Sequence, residues 1–292
     1  MSKWKYSLLR KPNSHKGDYG HVLFVAGSRD MMGAAILSIR AAFRCGLGKA
    51  TAVSTSSTQK ILLHAIPECM TLQVPESKEG SVSYRACKKI LQKAQFMDAI
   101  VIGPGLSQNL STQCLVQKLI PRLRCPIILD ADGLNAIRQK TNLLNRAQVT
   151  PIITPHEGEF KRLFEAQIHR DLGRKALAKY IANKYHCILV QKGFRSLVSG
   201  PDQKVYENKT GNPGMAVGGM GDILTGMIAS FVAQKFEPFF ATQLAVYLHG
   251  MTGDRVAKNF AQTSVDPTLI LSELPKAIKK IEQKKDLRAL IR

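Results

Sequence analysis

"HVLFVAGSRDMMGAAILSIRAAFRCGLGKATAVS", residues 21–54, reads as strand, turn, helix and strand in succession. Its first run, "HVLFVAG" at 21–27, is apolar without interruption, as in a strand covered on both faces. A glycine-containing turn follows, and "GAAILSIRAAFRCG", Gly33 to Gly46, predicts a helix stopped by glycine. "KATAVS" is the next strand. Buried strands joined through a helix form a βαβ unit, which requires a parallel sheet flanked by helices.

The same alternation continues outward from this unit. "DAIVIGPG" ends a strand at Gly103–Gly105, "PIILDADGLNAI" runs from strand into helix at Asp132, and "PIITPHEGEFKRLF" repeats that pattern at His156. "CILVQKG" is a strand, continued as a hairpin by "SLVSGPDQKVYEN" around Gly200-Pro201-Asp202. From Gly218 onward the pattern is helical, in "GDILTGMIASFVAQ", "FFATQLAVYLHGMTGDRVAKNF" and "PTLILSELPKAIKKIEQ". The expected architecture is one α/β domain over 1–292 with a mostly parallel central sheet. Ligands of such sheets bind at the carboxyl ends of the strands. That places Gly27–Ser28, Gly103–Gly105, Asp130–Asp132, Thr154–His156 and Lys192–Gly193 on one rim.

Composition narrows the function classes. The chain has 45% apolar and 22% charged residues, as in ordinary globular proteins. Its 42 basic and 21 acidic residues give a net charge of +21, which raises nucleic acid as a partner. The basic residues are scattered, however, and the densest cluster is the tail "KKIEQKKDLR" at 279–288. A solvated basic surface that attracts anionic nucleotides is the better reading. Six cysteines without Cys-x-x-Cys spacing predict buried, reduced thiols. The amino-terminal stretch lacks the apolar core of a signal peptide, and no apolar run reaches the roughly 20 residues of a membrane span. A cytoplasmic protein is expected.

The segment that carries chemistry is "GNPGMAVGGMGDILTGMIASFVAQ", 211–234. Glycines ahead of a helix let successive N–H groups converge, and the helix dipole adds partial positive charge there. The result is an anion hole for a transferring phosphoryl group. Asp222, in the first turn of that helix, is placed to take a proton from an attacking hydroxyl. The plainer reading is a glycine-rich turn with a capping aspartate.

This segment resembles the signature of the ADP/ATP-dependent NAD(P)H-hydrate dehydratases, the carbohydrate-kinase-like family of the ribokinase superfamily. "HKGDYGHVLFVAGSRDMMGAA", "GLGKATAVS", "AIVIGPGL", "ILDADGLNAI", "TPHEGEF" and "QKGFRS" are similar to that family's blocks, in its order, over roughly residues 15–275. The resemblance implies a ribokinase-like three-layer sandwich and a nucleotide-driven dehydration of hydrated NADH or NADPH. The kinase-like machinery would phosphorylate the added hydroxyl, and phosphate, a far better leaving group than hydroxide, would then depart.

By the same resemblance, Asp222 is the base and touches the hydrated ring. Gly219, Met220 and Gly221 supply anion-hole N–H groups, with Gly221 also near the nucleotide's phosphates. Lys192, Gly193, Phe194, Arg195 and Ser196 hold the nucleotide. Ala34, Gly105 and His156 contact the hydrated dinucleotide, and Asn212 orients phosphate or metal. Mg²⁺ is expected, although no metal motif is visible; Asp130 and Asp132 are candidates for holding it through water, and Asp132 equally for capping its helix. Glu157 and Glu159 are assigned to the dipole at a helix start, Asp266 to a helix cap, and His249 and Asp254 to packing and surface. Met220 stands where the family commonly has threonine, and Val217 where it has a more polar residue.

Two rivals remain at this level: a small-molecule kinase of the same superfamily, such as a vitamin-precursor kinase, and a non-catalytic basic protein that binds nucleotides or nucleic acid. The "HKGDYG…AGS" opening and "TPHEGEF" match the family's substrate side and favour the dehydratase. ADP is the favoured donor. With the first block starting near His15, no epimerase domain is expected; the protein would handle one epimer directly and rely on a separate epimerase or on spontaneous exchange. Relatives of this kind predict a homotetramer.

Overall fold

The structure, a computed structural model, describes residues 7–168, 172–284 and 287–290. Residues 1–6 of the stretch searched for a signal peptide, and residues 285–286 of the basic tail, lie outside these. The elements run β1 (His21–Val25), α1 (Met32–Arg44), β2 (Lys49–Ser54), α2 (Gln59–Ala65), β3 (Met70–Gln73), α3 (Cys87–Ala94), β4 (Ala99–Ile102), α4 (Leu110–Leu119), β5 (Ile127–Leu129), α5 (Asp132–Asn135) and β6 (Ile152–Ile153). They continue through α6 (Glu157–Phe164), α7 (Arg174–Lys184), β7 (Ile188–Gln191), β8 (Leu197–Ser199), β9 (Val205–Glu207), α8 (Met220–Ala233), α9 (Pro238–Asn259) and α10 (Pro267–Glu282).

The strands form a nine-stranded sheet in the order β3-β2-β1-β4-β5-β6-β7-β8-β9. Pairing is parallel from β3 to β7, and antiparallel where β8 and β9 fold back as the expected hairpin. Alternation along β1 explains the three layers. Val22 and Phe24 join a core with α1, α8, α9 and α10, while Leu23 and Val25 join the other with α3, α4, α6 and α7. All of these side chains are fully buried, each stabilising the fold by about 1.5–3 kcal/mol relative to exposure. Four helices, α2 to α4 and α7, and the edge strand β3, which lacks a clean buried pattern, have no counterpart among the elements expected from the sequence.

Helix α8 is apolar all round and buried along most of its length, as a central helix must be. It presses on α1 so closely that a methyl on Gly226 would stand 1.9 Å from the Ser38 carbonyl oxygen. This contact aims the amino end of α8 at the carboxyl rim of the sheet. The other end of α8 packs at Gly20, where a methyl would meet the Ala233 carbonyl at 2.5 Å. The "HKGDYG" turn therefore sits before β1, at the amino edge of the sheet. A 14-residue helix, about 21 Å long, separates it from the Asp222 end, so within the "HKGDYG…AGS" opening it is the Gly27–Ser28 end that stands on the rim.

The six cysteines are unpaired; Cys45, Cys69, Cys125 and Cys187 are buried, as expected, but Cys114 is exposed. No helix among the described residues is long and apolar enough to cross a membrane.

Candidate active site

All five rim positions picked from the sequence stand at the carboxyl ends of five consecutive strands, β1, β4, β5, β6 and β7. The tips are tied together by backbone: Gly27 N–H donates to Pro104 O at 2.8 Å and Gly103 N–H to Val25 O at 3.1 Å. Gly103 has φ +131°, and a methyl there would fall 1.8 Å from Asp130 O, so only glycine fits this corner. Gly105 and Ala34 meet, with the Ala34 Cβ 3.1 Å from where a Gly105 Cβ would lie.

Ala131 takes φ +47°, an uncommon conformation for a side-chain-bearing residue. It separates two buried carboxylates with different partners. Asp130, 1% exposed, accepts from Lys192 Nζ through Oδ1 at 2.7 Å and from Thr225 Oγ1 through Oδ2 at 2.7 Å. Asp132 accepts from the Ser107 N–H at 2.9 Å and from Asn135 Nδ2 at 3.3 Å, pinning the loop after β4. Every oxygen of the pair already has a protein donor, and the cap of α5 is Ala131 rather than Asp132. No group of three or more His, Cys, Asp and Glu among the described residues gathers into a metal cage.

The amino end of α8 has Gly219 as its cap, at φ +94°, with no side chain bonded to it. The first helical bond there runs from Ile223 N–H to Gly219 O at 3.1 Å, which leaves the Gly221 and Asp222 N–H groups ahead of it. Met220 N–H reaches only back to Val217 O, at 3.5 Å, and the Met220 side chain is buried in the core, away from the rim. Nothing among the described residues approaches within 4 Å of a Cβ position at Gly193 or Gly218, so there is open space at both.

Asp222 is half-buried and accepts no hydrogen bond among the described residues, so it is not a capping aspartate. Burial pushes its carboxyl up, Asp130 adds to the rise, Lys192 opposes it, and Glu159 and Asp132 contribute further; the group titrates at about 7. Lys192 points inward beneath Gly221, where a methyl would stand 3.0 Å from its Nζ. Burial alone would depress the Lys192 ammonium, but Asp130, Glu159, the Asp130 hydrogen bond and Asp222 outweigh it and hold its pKa above the ordinary value. Lys192 thus parts from the other four residues of its block. Phe194 is 87% exposed, Arg195 at φ +51° pairs with Glu207 at 3.6 Å, and Ser196 Oγ closes the turn on Gly193 O at 3.0 Å.

His156 extends the β6–β7 pairing to Lys192 and caps α6, its Nδ1 accepting the Gly158 and Glu159 N–H groups at 3.0 and 3.4 Å. The buried Glu159 returns the bond to His156 N–H at 2.9 Å, completing a capping box, and exposed Glu157 pairs with Lys161. Asp266 caps α10 as expected. Asn212 is held by Asp254, whose carboxylate also accepts the Gly211 N–H at 2.9 Å. Asp254 therefore anchors the glycine-rich loop rather than serving as a plain surface residue. Thr225 escaped sequence reasoning, although its place one turn beyond Asp222 in "GDILTG" was a usable signal. His249 keeps its packing role: burial drops its pKa to about 4, and its Nε2 has no hydrogen-bond partner among the described residues.

Comparison with known proteins adds to this geometry. A carbohydrate-kinase family model described as NAD(P)H-hydrate dehydratase matches residues 22–276. A bifunctional NAD(P)H-hydrate repair enzyme of Moorella thermoacetica is 39% identical over 94% of this chain, which spans 52% of that relative. An ADP-dependent (S)-NAD(P)H-hydrate dehydratase of Listeria monocytogenes is 34% identical, with 92% of this chain and 91% of the relative covered. Among solved structures, the ADP/ATP-dependent NAD(P)H-hydrate dehydratase of Bacillus subtilis, co-crystallised with ATP and Mg²⁺, superposes with a TM-score of 0.76 at 31% identity, covering 95% of this chain and 96% of that one. The ribokinase-like fold expected from the sequence is thereby shown.

Proposed function

Because the chain belongs to the NAD(P)H-hydrate dehydratase family, we propose that it spends ADP or ATP to dehydrate hydrated NADH and NADPH, restoring the intact cofactor. It spans about half the length of the bifunctional relatives it matches, and the proposal concerns the reaction of this part. One observation carries it: an aspartate without a hydrogen bond, titrating at about 7, shares the first turn of α8 with open N–H groups.

In this reading Asp222 accepts the proton of the added hydroxyl, whose oxygen attacks the terminal phosphorus of the nucleotide. A pKa near the working pH suits a general base. The bond from that phosphorus to its bridging oxygen breaks, and AMP leaves when ADP is the donor. The ring nitrogen's lone pair then expels phosphate from the adjacent carbon, and loss of a proton from the next carbon restores the double bond. The open N–H groups of Gly221 and Asp222, with Gly219 opening the turn and the dipole of α8, stabilise charge on the phosphoryl oxygens. Gly193 to Ser196 bind the nucleotide on the open side of the turn, with Arg195 as the forked phosphate donor. Lys192 acts from beneath through its charge. Ala34, Gly105 and the exposed ring of His156 border the dinucleotide, and Asn212 steadies the loop leading to the anion hole.

Mg²⁺ belongs to this proposal as a companion of the nucleotide's phosphates, since the carboxylates among the described residues do not form a cage. A separate epimerase, a cytoplasmic setting and a homotetramer are further parts of the proposal. Pure epimers converted at equal rates without added enzyme would remove the first of these.

The test is recovery of nicotinamide absorbance from hydrated NADH with Mg²⁺ and ADP or ATP, followed together with phosphate release. Nucleotide-dependent recovery with one phosphate per cofactor, lost in Asp222→Asn, is the expected result. Absence of recovery by protein that still binds ADP would refute it in favour of a kinase acting on another hydroxyl.

A further inference from the structure

The charged groups beneath α8 form a cluster that the proposed reaction touches only at its edge. Asp130 ends the β5 segment, fully buried, and divides its carboxylate between Lys192 from the end of β7 and Thr225 from α8, each at 2.7 Å. Thr225 follows Asp222 by three residues, which places the two on neighbouring turns of one helix face. Gly221 rests on the same pair: a methyl there would lie 3.0 Å from Lys192 Nζ and 3.8 Å from Asp130 Oδ2. A carboxylate is costly to bury, and an aspartate that only sealed the core would be replaceable by an apolar side chain.

We propose that Asp130 is a positioning residue: by bridging Lys192 to Thr225 it clamps the amino end of α8 to the strand tips and fixes where Asp222 and the first-turn N–H groups stand. This rests on the reading of Asp222 as the base. The clamp also governs how the Lys192 ammonium is shared. Asp222 faces Asp130 and Asp132 from the β5–α5 corner, Glu159 from α6 and Lys192 from β7, while the Lys192 charge also helps lower the pKa of the buried His249 on α9. Glu159 Oε2 stands 4.0 Å from Lys192 Nζ, so Asp130 is the nearer counterion. Removing the Asp130 charge takes away a repulsion on Asp222 and leaves Lys192 freer to attract it, and both changes make Asp222 a weaker base.

Two isosteric variants test this. Asp130→Asn keeps shape and removes charge; Thr225→Val removes only the hydroxyl. Carbon NMR titration of the Asp222 carboxyl, assigned with Asp222→Asn, requires no hydrated cofactor, so it stands apart from the substrate assignment. In Asp130→Asn the Asp222 midpoint is expected to move down by about one pH unit, with the acid limb of kcat following it. Its kcat falls about tenfold while KM for the nucleotide changes less than about threefold, because misplacement acts on the reacting geometry. Thr225→Val lowers kcat severalfold with the Asp222 midpoint unmoved. A folded Asp130→Asn with wild-type midpoint and kcat overturns the proposal. So does Thr225→Val at full kcat, which decides alone if Asp130→Asn does not fold. A shifted midpoint in a protein inert toward hydrated NADH overturns the substrate reading and leaves the clamp standing.

Discussion

Asp222→Asn should make the protein more stable above neutral pH while abolishing turnover. In the folded chain this carboxyl titrates at about 7, driven up chiefly by burial and then by Asp130, against about 3.9 in an unfolded chain. Between these values the native state holds the proton and the unfolded state does not. Wild-type stability therefore falls as pH rises through this window, and the loss is complete above pH 7. A displacement of about three units corresponds to about 4 kcal/mol at 1.36 kcal/mol per unit. Half-burial and solvent screening reduce the expectation to about 2 kcal/mol. Asparagine carries no such penalty, so the stability difference between variant and wild type should be near zero at pH 4 and about 2 kcal/mol in the variant's favour at pH 8. Urea unfolding of both proteins across this range measures it. A pH-independent difference, or a variant less stable at pH 8, would refute the assigned electrostatics.

Gly221→Ala puts a methyl 3.0 Å from Lys192 Nζ; kcat/KM should fall about a hundredfold, as for a damaged anion hole, with an unchanged circular dichroism spectrum. Gly103→Ala meets Asp130 O at 1.8 Å from a φ of +131°, so a loss of about 3 kcal/mol or more, or failure to fold, is expected in urea titration. Arg195→Ala removes an exposed cation at the nucleotide turn; KM for ADP should rise about tenfold, with Tm unaltered by thermal scan.

The strand ends were legible before the structure because five buried strands each finish in glycine or a polar residue, and a parallel sheet brings such ends to one edge. The place of Asp222 in the first turn of α8 was legible because glycines directly precede an apolar helical run. Lys192 was legible as a strand-end residue but not in its direction, since adjacency to Gly193–Ser196 in the chain says nothing about which way a side chain turns. Asp254 was misread for a similar reason: its partners, Gly211 and Asn212, lie some forty residues earlier.

Apolar periodicity, glycine placement and strand-to-helix junctions, all local features of the chain, determined the layered fold, the rim and the helix end where chemistry is proposed. Only the tertiary structure decided that Asp130 binds Lys192 and Thr225, that Asp132 pins a loop, and that Asp222 is left unbonded. Those outcomes depend on α8 being pressed against α1 over the tips of β5 and β7, and the resulting burial and charge sharing arise between segments as much as 95 residues apart.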